Sequence, residues 1–457
     1  MREFDLVLEG KALLPWGLCD VVIGVEDGKI SFISKSGGLV RGLRRIVLGD
    51  GEILIPGIID AHTHVRGMGR SDWEDFHSGS MAAAAGGVTC IFEMPITLPS
   101  TSTVIDLREK IKQASEQSIV NFGFHGGGGF EAIPEIHGMS KLGVVSFKIF
   151  MHPPPRGRES DFRGLYINDD SQLFECLYTI NCEGKPAYIH AENHVLAEYF
   201  MHKQMELGGG DLIAYTLSKP SVVECEAISS VAIFASHINA KIHIAHLSSK
   251  DSIPIIKFFK NAGLHITSET APHYLQFTLD EVKHLGSYAK VNPPIRSKED
   301  RVELWKALSM GVIDIVASDH ASYPKSVKDV DDIWKAYMGV PGIECLAPIV
   351  FNGVNRGFIT LWRAVEALST NVARIFGLYP RKGLIAIGSD ADLTVVNLKE
   401  RKVLKSSEFH TKARDIALLY DNVEVVGVPV MTIVNGVLVM DHGEIVGKPG
   451  TGRYVKV

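Results

Sequence analysis

Apolar runs that alternate with amphipathic stretches dominate the middle of the chain. Eight short runs are almost continuously apolar, which is typical of strands buried on both faces of a parallel sheet. They lie at 53–59, 88–93, 119–124, 144–151, 187–190, 241–246, 265–269 and 314–318. Helical periodicity separates most of them, for example at 171–182, 222–237, 252–262 and 298–308. Eight strand–helix units favour a closed (β/α)8 barrel over an open doubly wound sheet.

The two ends of the chain have a different pattern of short β-rich pieces. These lie at 5–9, 20–26, 29–34, 45–48, 392–397, 430–434 and 437–440, with turn signals such as Asp27-Gly28 and Asn435-Gly436 between them. Because chain termini often lie close together, one small domain can be built from both ends. The predicted fold is α/β: a TIM-like (β/α)8 barrel at 56–384, with a small β-sandwich domain made of residues 1–55 and 385–457.

Composition and charge narrow the class of function. The chain has 457 residues, of which 46% are hydrophobic and 22% charged, with a net charge of −6. No basic field is present to hold nucleic acid or anionic lipid, and no apolar run is long enough to predict a membrane span. Acidic residues near the start argue against a signal peptide, so a cytoplasmic location is expected. The 6 cysteines form no CxxC pair, which argues against a thiolate zinc site.

Polar residues follow the predicted barrel strands, where a barrel of this kind carries its chemistry. His62 and His64 come after the first strand, and their i, i+2 spacing points both imidazoles to one side. His190, His246 and Asp319 each end a strand of their own. A lone histidine on an apolar strand is more often a hydrogen-bonded core residue. Their recurrence at strand ends instead indicates a site for a borderline metal such as zinc.

Lys148 lies inside the apolar run 144–151. A buried ammonium is costly, and burial depresses its pKa. One interpretation is a lysine that pairs with a carboxylate or extends to the surface. The other, which we favour, is a neutral amine that captures carbon dioxide as a carbamate. A carbamate is an anionic ligand with two oxygens, able to bridge two metal ions.

Taken together, these motifs resemble the amidohydrolase superfamily, in its cyclic amidohydrolase branch of dihydroorotases, hydantoinases (dihydropyrimidinases) and allantoinases. The resemblance runs from Pro56-Gly-Ile-Ile-Asp-Ala-His-Thr-His to Gly388-Ser-Asp-Ala-Asp-Leu. It implies two divalent metal ions, expected to be zinc, that share the carbamate on Lys148. The metal ligands that it implies are His62, His64, Lys148, His190, His246 and Asp319.

The resemblance also implies a reaction in which water opens a small cyclic amide or ureide. Two metal ions would bridge a hydroxide and lower its pKa, and one of them would polarise the substrate carbonyl. Asp319 would take the proton of the hydroxide and pass it to the leaving nitrogen, as general base and then acid. Members of the family are commonly dimers or tetramers, so a homodimer or homotetramer is expected.

The motifs leave the identity of the ring open. The stretch 69–80 and Phe92-Glu-Met-Pro resemble allantoinases most. Dihydroorotases hold the substrate carboxylate with an arginine where this chain has Arg66, but Met94-Pro-Ile-Thr97 lacks the asparagine that shares it. Hydantoinases place a tyrosine soon after the carbamylated lysine, and 151–156 has none. An allantoin-type ring is therefore preferred, with dihydroorotase and hydantoinase as alternatives.

Other expected roles are less specific. Arg66, Asn292 and His320 are the expected substrate contacts. His243 and His273 are either partners that orient ligands or core residues. A non-enzymatic alternative is a scaffold of the collapsin-response-mediator type. Such scaffolds have lost metal ligands, whereas this chain keeps all of the expected ones, and a metal analysis distinguishes the two.

Overall fold

The computed structural model describes residues 3–35, 40–155 and 157–457. Its N-terminal strands belong to a mixed sheet in which β1 pairs antiparallel with β2 and parallel with β4 and β5. These strands are β1 (Glu3–Leu14), β2 (Gly17–Glu26), β3 (Lys29–Lys35), β4 (Arg41–Val47) and β5 (Glu52–Pro56).

A second sheet, all parallel, follows in the middle of the chain. Its strands are β6 (Ile58–His64), β7 (Val88–Glu93), β8 (Asn121–Gly127), β9 (Ser146–Phe150), β10 (Ala187–His190), β11 (Ile242–Ile244), β12 (Ile266–Thr270), β13 (Ile315–Val316) and β14 (His320–Ala321). Neighbours in sequence pair in order from β6 to β13, and β14 returns to pair with β6. The segment 315–321 therefore spans from β12 to β6 and closes a barrel, which confirms the predicted fold class.

Helices cover the outside of this barrel. The described helices are α1 (Phe76–Ala85), α2 (Val104–Gln117), α3 (Ile133–Leu142), α4 (Asp170–Cys182), α5 (His194–Glu206), α6 (Leu212–Leu217), α7 (Ser221–Ile238), α8 (Ser252–Asn261), α9 (Pro272–Gln276), α10 (Leu279–Val282), α11 (Lys298–Ser309), α12 (Lys325–Lys328), α13 (Ile343–Asn355), α14 (Leu361–Val365) and α15 (Asn371–Ile375). Side-chain caps begin several of them, such as Asp75 before α1 and Thr103 before α2.

The C-terminal strands complete the mixed sheet. They are β15 (Leu393–Val403), β16 (Glu424–Val434), β17 (Val437–Asp441) and β18 (Glu444–Ile445). Strand β15 pairs antiparallel with β5 on one side and with β16 on the other. Strands from both ends of the chain thus share one sheet, as predicted. The domain boundaries at 55/56 and 384/385 stay a prediction.

The predicted first barrel strand at 53–59 is wrong in its position. Residues of β5 pair with β15 in the mixed sheet, and the barrel strand β6 begins only at Ile58. Gly57 separates the two, and a Cβ there would lie 2.3 Å from Thr89 Oγ1. The apolar run continues through both strands, so periodicity could not reveal the break. As a consequence, His62 and His64 lie within β6, with His64 as its last residue.

One segment, Leu212–Ile238, is long and apolar enough to cross a membrane by length and composition alone. It comprises α6 and α7, and α7 packs against α4, α8 and β11. Val223, Ala227 and Ile228 are fully buried in these contacts. The same length and composition describe a helix that covers a barrel, and here the apolar face is explained by packing.

Candidate active site

A cavity of about 560 Å³ opens at the carboxyl ends of the barrel strands. Its lining brings together all the predicted metal ligands and Asn292: His62, His64, Lys148, His190, His246, Asn292 and Asp319. A wider groove of about 1000 Å³ lies beside Glu344 and His410, and its lining contains none of the predicted ligands. The chemistry predicted from the sequence therefore converges on the barrel mouth, where parallel barrels carry their active sites.

His62, His64 and Asp319 form the first half of this ligand cluster. Nε2 of His62 lies 3.3 Å and Nε2 of His64 lies 3.5 Å from Asp319 Oδ1. One ligand atom from each residue lies within 4.8 Å of the others. Asp319 follows β13 and has a φ of 49°, a left-handed conformation that few non-glycine residues adopt. The turn between β13 and β14 thereby aims its carboxylate at the two imidazoles.

Glu269 on β12 sets the tautomer of His62. Burial raises the pKa of Glu269, but His62 and His243 outweigh it and hold the pKa well below its usual value. The ionised carboxylate accepts from His62 Nδ1 at 2.6 Å and from the Tyr188 hydroxyl. Burial lowers the pKa of His62 to about 4, so the ring is neutral at pH 7 and its Nε2 carries no proton. His62 Nε2 therefore faces Asp319 Oδ1 as an acceptor, and because burial raises the pKa of Asp319 to about 8, a proton or a cation between the two atoms stabilises the pair.

His190 and His246 form the second half. His190 Nδ1 lies 2.8 Å from His246 Nε2, and His190 Nε2 lies 2.7 Å from Glu192 Oε2. Burial raises the pKa of Glu192, but Lys219 and His190 bring it well below its usual value. Because this carboxylate is ionised, His190 Nε2 donates to it and Nδ1 is left as an acceptor. Asn292 Nδ2 donates to the same carboxylate oxygen at 2.6 Å.

Lys148 lies between the two halves, on β9. Its Nζ is fully buried and lies 4.7 Å from the centroid of the Tyr188 ring. No hydrogen bond or ion pair to it occurs among the described residues, so the interpretation as a paired or surface lysine is wrong. Burial lowers its pKa to about 8, opposed by Glu269 and Asp319. A larger share of free amine results, and free amine is the form that reacts with carbon dioxide.

The donor set fits divalent metal ions. Imidazole nitrogens and a carboxylate oxygen are the donors that zinc takes, and the histidines are oriented by buried carboxylates as metal-binding histidines commonly are. Three buried nitrogens of the cluster also have no hydrogen-bond partner in the part of the chain that the structure describes: His64 Nδ1, Lys148 Nζ and His246 Nδ1. Buried polar atoms are normally paired, so a cluster of unpaired ones in a cavity is typical of a site that takes a ligand.

Sequence reasoning missed the residues that orient the ligands. Glu269 and Glu192 stand at the ends of β12 and β10, beside the predicted ligands, but no role was predicted for them. Tyr188 lies two residues before His190 on β10 and shares its face of the strand. His243, for which both an orienting and a core role were open, lies 3.4 Å from Glu269 Oε2 through its Nε2. Strand-end position was the signal that could have found the two glutamates.

Two predicted substrate contacts lie outside the cavity lining. Arg66 is buried, and its guanidinium donates to the carbonyl oxygens of Ile96 at 3.1 Å and Ser322 at 3.4 Å. His320 is also buried, with Nε2 2.9 Å from Ser322 Oγ and 3.5 Å from Glu74 Oε2. His273 is a buried neighbour of Tyr274 on α9, outside the lining as well. Direct contacts of Arg66 and His320 with substrate stay predictions.

Comparison with known proteins agrees with this geometry. The model of the amidohydrolase family matches residues 53–439. The solved structure of an L-hydantoinase (dihydropyrimidinase) from Arthrobacter aurescens superposes with a TM-score of 0.93 at 34% identity, covering 99% of this chain and 100% of that one. The match extends over both the barrel and the mixed sheet.

Characterised relatives carry three different names at similar identity. An L-hydantoinase of Paenarthrobacter aurescens is 35% identical over 99% of this chain and 98% of its own length. An allantoinase of Rubrobacter xylanophilus is 33% identical over 100% and 98%. A dihydroorotase of Methanothermobacter thermautotrophicus is 34% identical over 95% and 94%. All three names denote hydrolases of cyclic amides, but such close values do not select one ring.

Proposed function

The chain belongs to the amidohydrolase family, in its cyclic amidohydrolase branch, and we propose that it opens an uncharged ureide ring of the allantoin type. Two divalent ions, zinc by the chemistry of the donors, would be held by His62, His64, Lys148, His190, His246 and Asp319, with Lys148 as a carbamate. The main observation that supports this proposal is that all six side chains line one cavity. The cytoplasmic location and the assembly into a homodimer or homotetramer stay predictions.

The chain's own residues perform defined tasks in this proposal. Bound divalent ions supply a water nucleophile at neutral pH and polarise a carbonyl oxygen. Asp319 accepts the proton of the attacking water and donates it to the ring nitrogen that leaves when the C–N bond breaks. Glu269 and Glu192 hold His62 and His190 in one tautomer each. One water is consumed: its hydroxyl stays on the carbonyl carbon and its proton goes to the leaving nitrogen. The product is therefore the open-chain ureido acid.

Arg66 supports the choice of an uncharged ring. The carboxylate of dihydroorotate requires a charged partner in the cavity, and in dihydroorotases that partner is an arginine after the His-x-His motif. Here the Arg66 guanidinium is occupied by two backbone carbonyls and the ring of Tyr323. Among the described residues of the cavity lining, the guanidinium is that of Arg158, and it is paired with Asp161 at 3.1 Å. Neither is a free partner for a substrate carboxylate.

A hydantoin with an apolar substituent is the second candidate. The observation that favours it is an apolar portion of the cavity wall, formed by Ile96, Phe150, Phe162 and Met338. Phe150 and Phe162 pack edge to face with ring centroids 5.1 Å apart. Such a wall buries an alkyl or aryl group, whereas allantoin carries a polar ureido group in that position.

An assay of the purified protein, loaded with zinc, against four rings tests the proposal. Allantoin, hydantoin, dihydrouracil and dihydroorotate should each be offered at equal concentration, with metal content measured by elemental analysis. We expect two zinc ions per chain and the highest kcat/KM on allantoin, whereas a highest value on hydantoin would select the second candidate. Dihydroorotate as the best substrate would overturn the uncharged ring. A folded protein that binds no transition metal and opens no ring would instead favour the scaffold alternative.

A further inference from the structure

Tyr323 lines the same cavity as the ligand cluster, just after β14. It is 5% exposed, so its ring is held almost entirely by its neighbours although it contributes to the cavity lining. The ring packs against Trp73 and Tyr337, with centroids 5.7 Å and 5.4 Å apart. No tyrosine occurs at 149–157, the segment that follows Lys148. Tyr323 is therefore a phenol that the site holds rigidly and that the reaction described above does not use.

Two guanidinium groups flank this phenol. The Arg66 guanidinium carbon lies 4.8 Å from the centroid of the Tyr323 ring, and that of Arg158 lies 5.8 Å away. Arg66 is fixed by its two carbonyl partners, and Arg158 is fixed by Asp161. Asp161 in turn binds Arg70 at 3.0 Å. The two positive charges are thus held close to the phenol ring by fixed partners.

The flanking charges change the chemistry of the hydroxyl. Burial raises the pKa of Tyr323, but Arg66 and Arg158 outweigh it and bring the pKa below its usual value, with a hydrogen bond from Arg158 contributing. A more acidic phenol is a stronger hydrogen-bond donor. Donors fixed in advance stabilise an oxygen that gains negative charge, because they need no reorganisation during the reaction.

Building on the proposed function, we propose that Tyr323 donates a hydrogen bond to the substrate carbonyl oxygen, which gains negative charge when water adds to the carbonyl carbon, and that Arg66 and Arg158 position it. Tyr323 is then a catalytic residue, because it contacts the substrate, whereas the two arginines act through it. This assignment gives a role to Arg66, which is buried beside Tyr323 but is not part of the cavity lining. It also gives the two arginines a role in the hydrolysis of a ring that carries no charge.

Kinetics of Tyr323→Phe test the assignment, with Tyr337→Phe as the matched control. Both changes remove one hydroxyl from neighbouring rings, but Tyr337 is not part of the cavity lining. Removal of one such donor costs about 10²–10³-fold in kcat. We expect that loss for Tyr323→Phe on allantoin and hydantoin alike, with KM changed less than about 3-fold. Tyr337→Phe should stay within about 2-fold of wild type, and both variants should keep the wild-type zinc content.

Contrary outcomes are distinct from one another. A kcat of Tyr323→Phe within about 2-fold of an active wild type overturns the inference and leaves the proposed function standing. A loss confined to dihydroorotate and expressed in KM also overturns it, because Tyr323 would then bind a carboxylate. A wild type that opens none of the rings overturns both. Arg66→Lys keeps the positive charge at this position. It should therefore retain more activity than Arg66→Met.

Absorbance of the phenolate at alkaline pH gives a readout that needs no turnover. The difference titration of wild type minus Tyr323→Phe reports one tyrosine, and its midpoint should lie below about 10, the value of a free phenol. In Arg66→Met the midpoint should rise, and in Arg66→Lys it should stay nearer to wild type. An unchanged midpoint in Arg66→Met would show that Arg66 does not act through Tyr323.

Discussion

The two halves of the ligand cluster are tied to the rest of the protein in different ways. In the first half, His62, His64 and Asp319 face one another, and Glu269 holds His62 from within the barrel. In the second half, His190 is held by Glu192, which also accepts from Lys219 and Asn292 at the cavity rim. The first half therefore depends on the barrel core, and the second depends on Lys219 and on Asn292, which lines the cavity.

The difference has a consequence for metal affinity. In the proposed ligand set, the first half has a carboxylate, Asp319, whereas the second has only imidazoles and the shared Lys148. An additional anionic ligand strengthens the attraction for a divalent cation in a buried site. We therefore expect the first half to bind zinc more tightly than the second, so that a chelator removes the ions in two steps.

Substitution of Lys148 should weaken metal binding in both halves of the cluster, because both halves share this side chain in the proposed site. In Lys148→Ala we expect zinc content to fall in both halves. Turnover should fall further than on loss of a general base, which costs about 10²–10⁴-fold. Elemental analysis and the ring-opening assay measure these effects. Added propionate, whose carboxylate can occupy the space of a carbamate, should restore part of both. A variant that keeps two ions and turnover within about 10-fold of wild type would contradict the bridging role.

An independent measurement addresses the carbamate itself. Wild type loaded with zinc and ¹³C-bicarbonate should give a carbamate carbon signal in NMR that Lys148→Ala lacks. The buried, unpaired Nζ and its lowered pKa are the physical basis for this expectation. A Lys148→Arg variant is the matched control for charge, since a guanidinium does not take up carbon dioxide under these conditions. Equal signals in wild type and both variants would assign the carbamate to another amine.

Asp319→Asn should affect the first half and leave the second. The amide removes a ligand charge and the group that carries the proton, so we expect turnover to fall by about 10²–10⁴-fold. The tighter of the two zinc-binding steps should weaken, while the other is retained. Turnover within a few-fold of wild type would mean that a different residue moves the proton.

The ligand cluster was accessible to sequence reasoning because strand ends of a barrel share one rim. His190 and His246 lie at the ends of neighbouring strands that are separated in sequence by helices. Because strand ends of a barrel lie at one rim, His190 Nδ1 and His246 Nε2 are only 2.8 Å apart. The rule needs only the order of strands, and an apolar run shows where each strand lies. It does not need the exact strand boundary, so the wrong position of the first barrel strand did not change which side chains were predicted to lie together.

Arg66 and His320 show where the same reasoning ends. Alternation along a strand would place Arg66 on the face of His64, but β6 ends at His64 and the backbone at Arg66 has a φ of 71°. His320 follows Asp319, whose own positive φ redirects the chain, and its ring packs on Ser322. Periodicity is lost where the backbone leaves the strand, so side-chain direction there is decided by tertiary contacts. The partnership of Glu269 with His62 likewise joins distant segments and has no local signal.

Glu269→Gln and Glu192→Gln form a matched pair that separates the halves. Each change keeps the shape of the side chain and removes a carboxylate that orients one histidine. Loss of such a partner costs about 10–100-fold in metal affinity. We expect Glu269→Gln to weaken the step that is lost in Asp319→Asn, and Glu192→Gln to weaken the other. Competition with a chromophoric chelator measures both steps, and equal effects of the two variants on both steps would show that the halves are not independent.

Asn292→Ala should produce the smallest effect, on substrate rather than on metal. Asn292 lines the cavity and donates to Glu192 Oε2 at 2.6 Å, while Tyr215 holds it from outside through a hydrogen bond of 3.1 Å to Asn292 Oδ1. A hydrogen bond is worth about 0.5–1.5 kcal/mol net, which corresponds to about 2- to 13-fold in an equilibrium constant. We expect KM for the preferred ring to rise within that range and kcat to change less. Tyr215→Phe, which keeps the asparagine and removes only its outer partner, should change KM by less than Asn292→Ala. If Asn292→Ala instead lowers kcat and zinc content as strongly as Glu192→Gln, then Asn292 supports the second half of the cluster rather than the substrate, and the rim and the metal site are one unit.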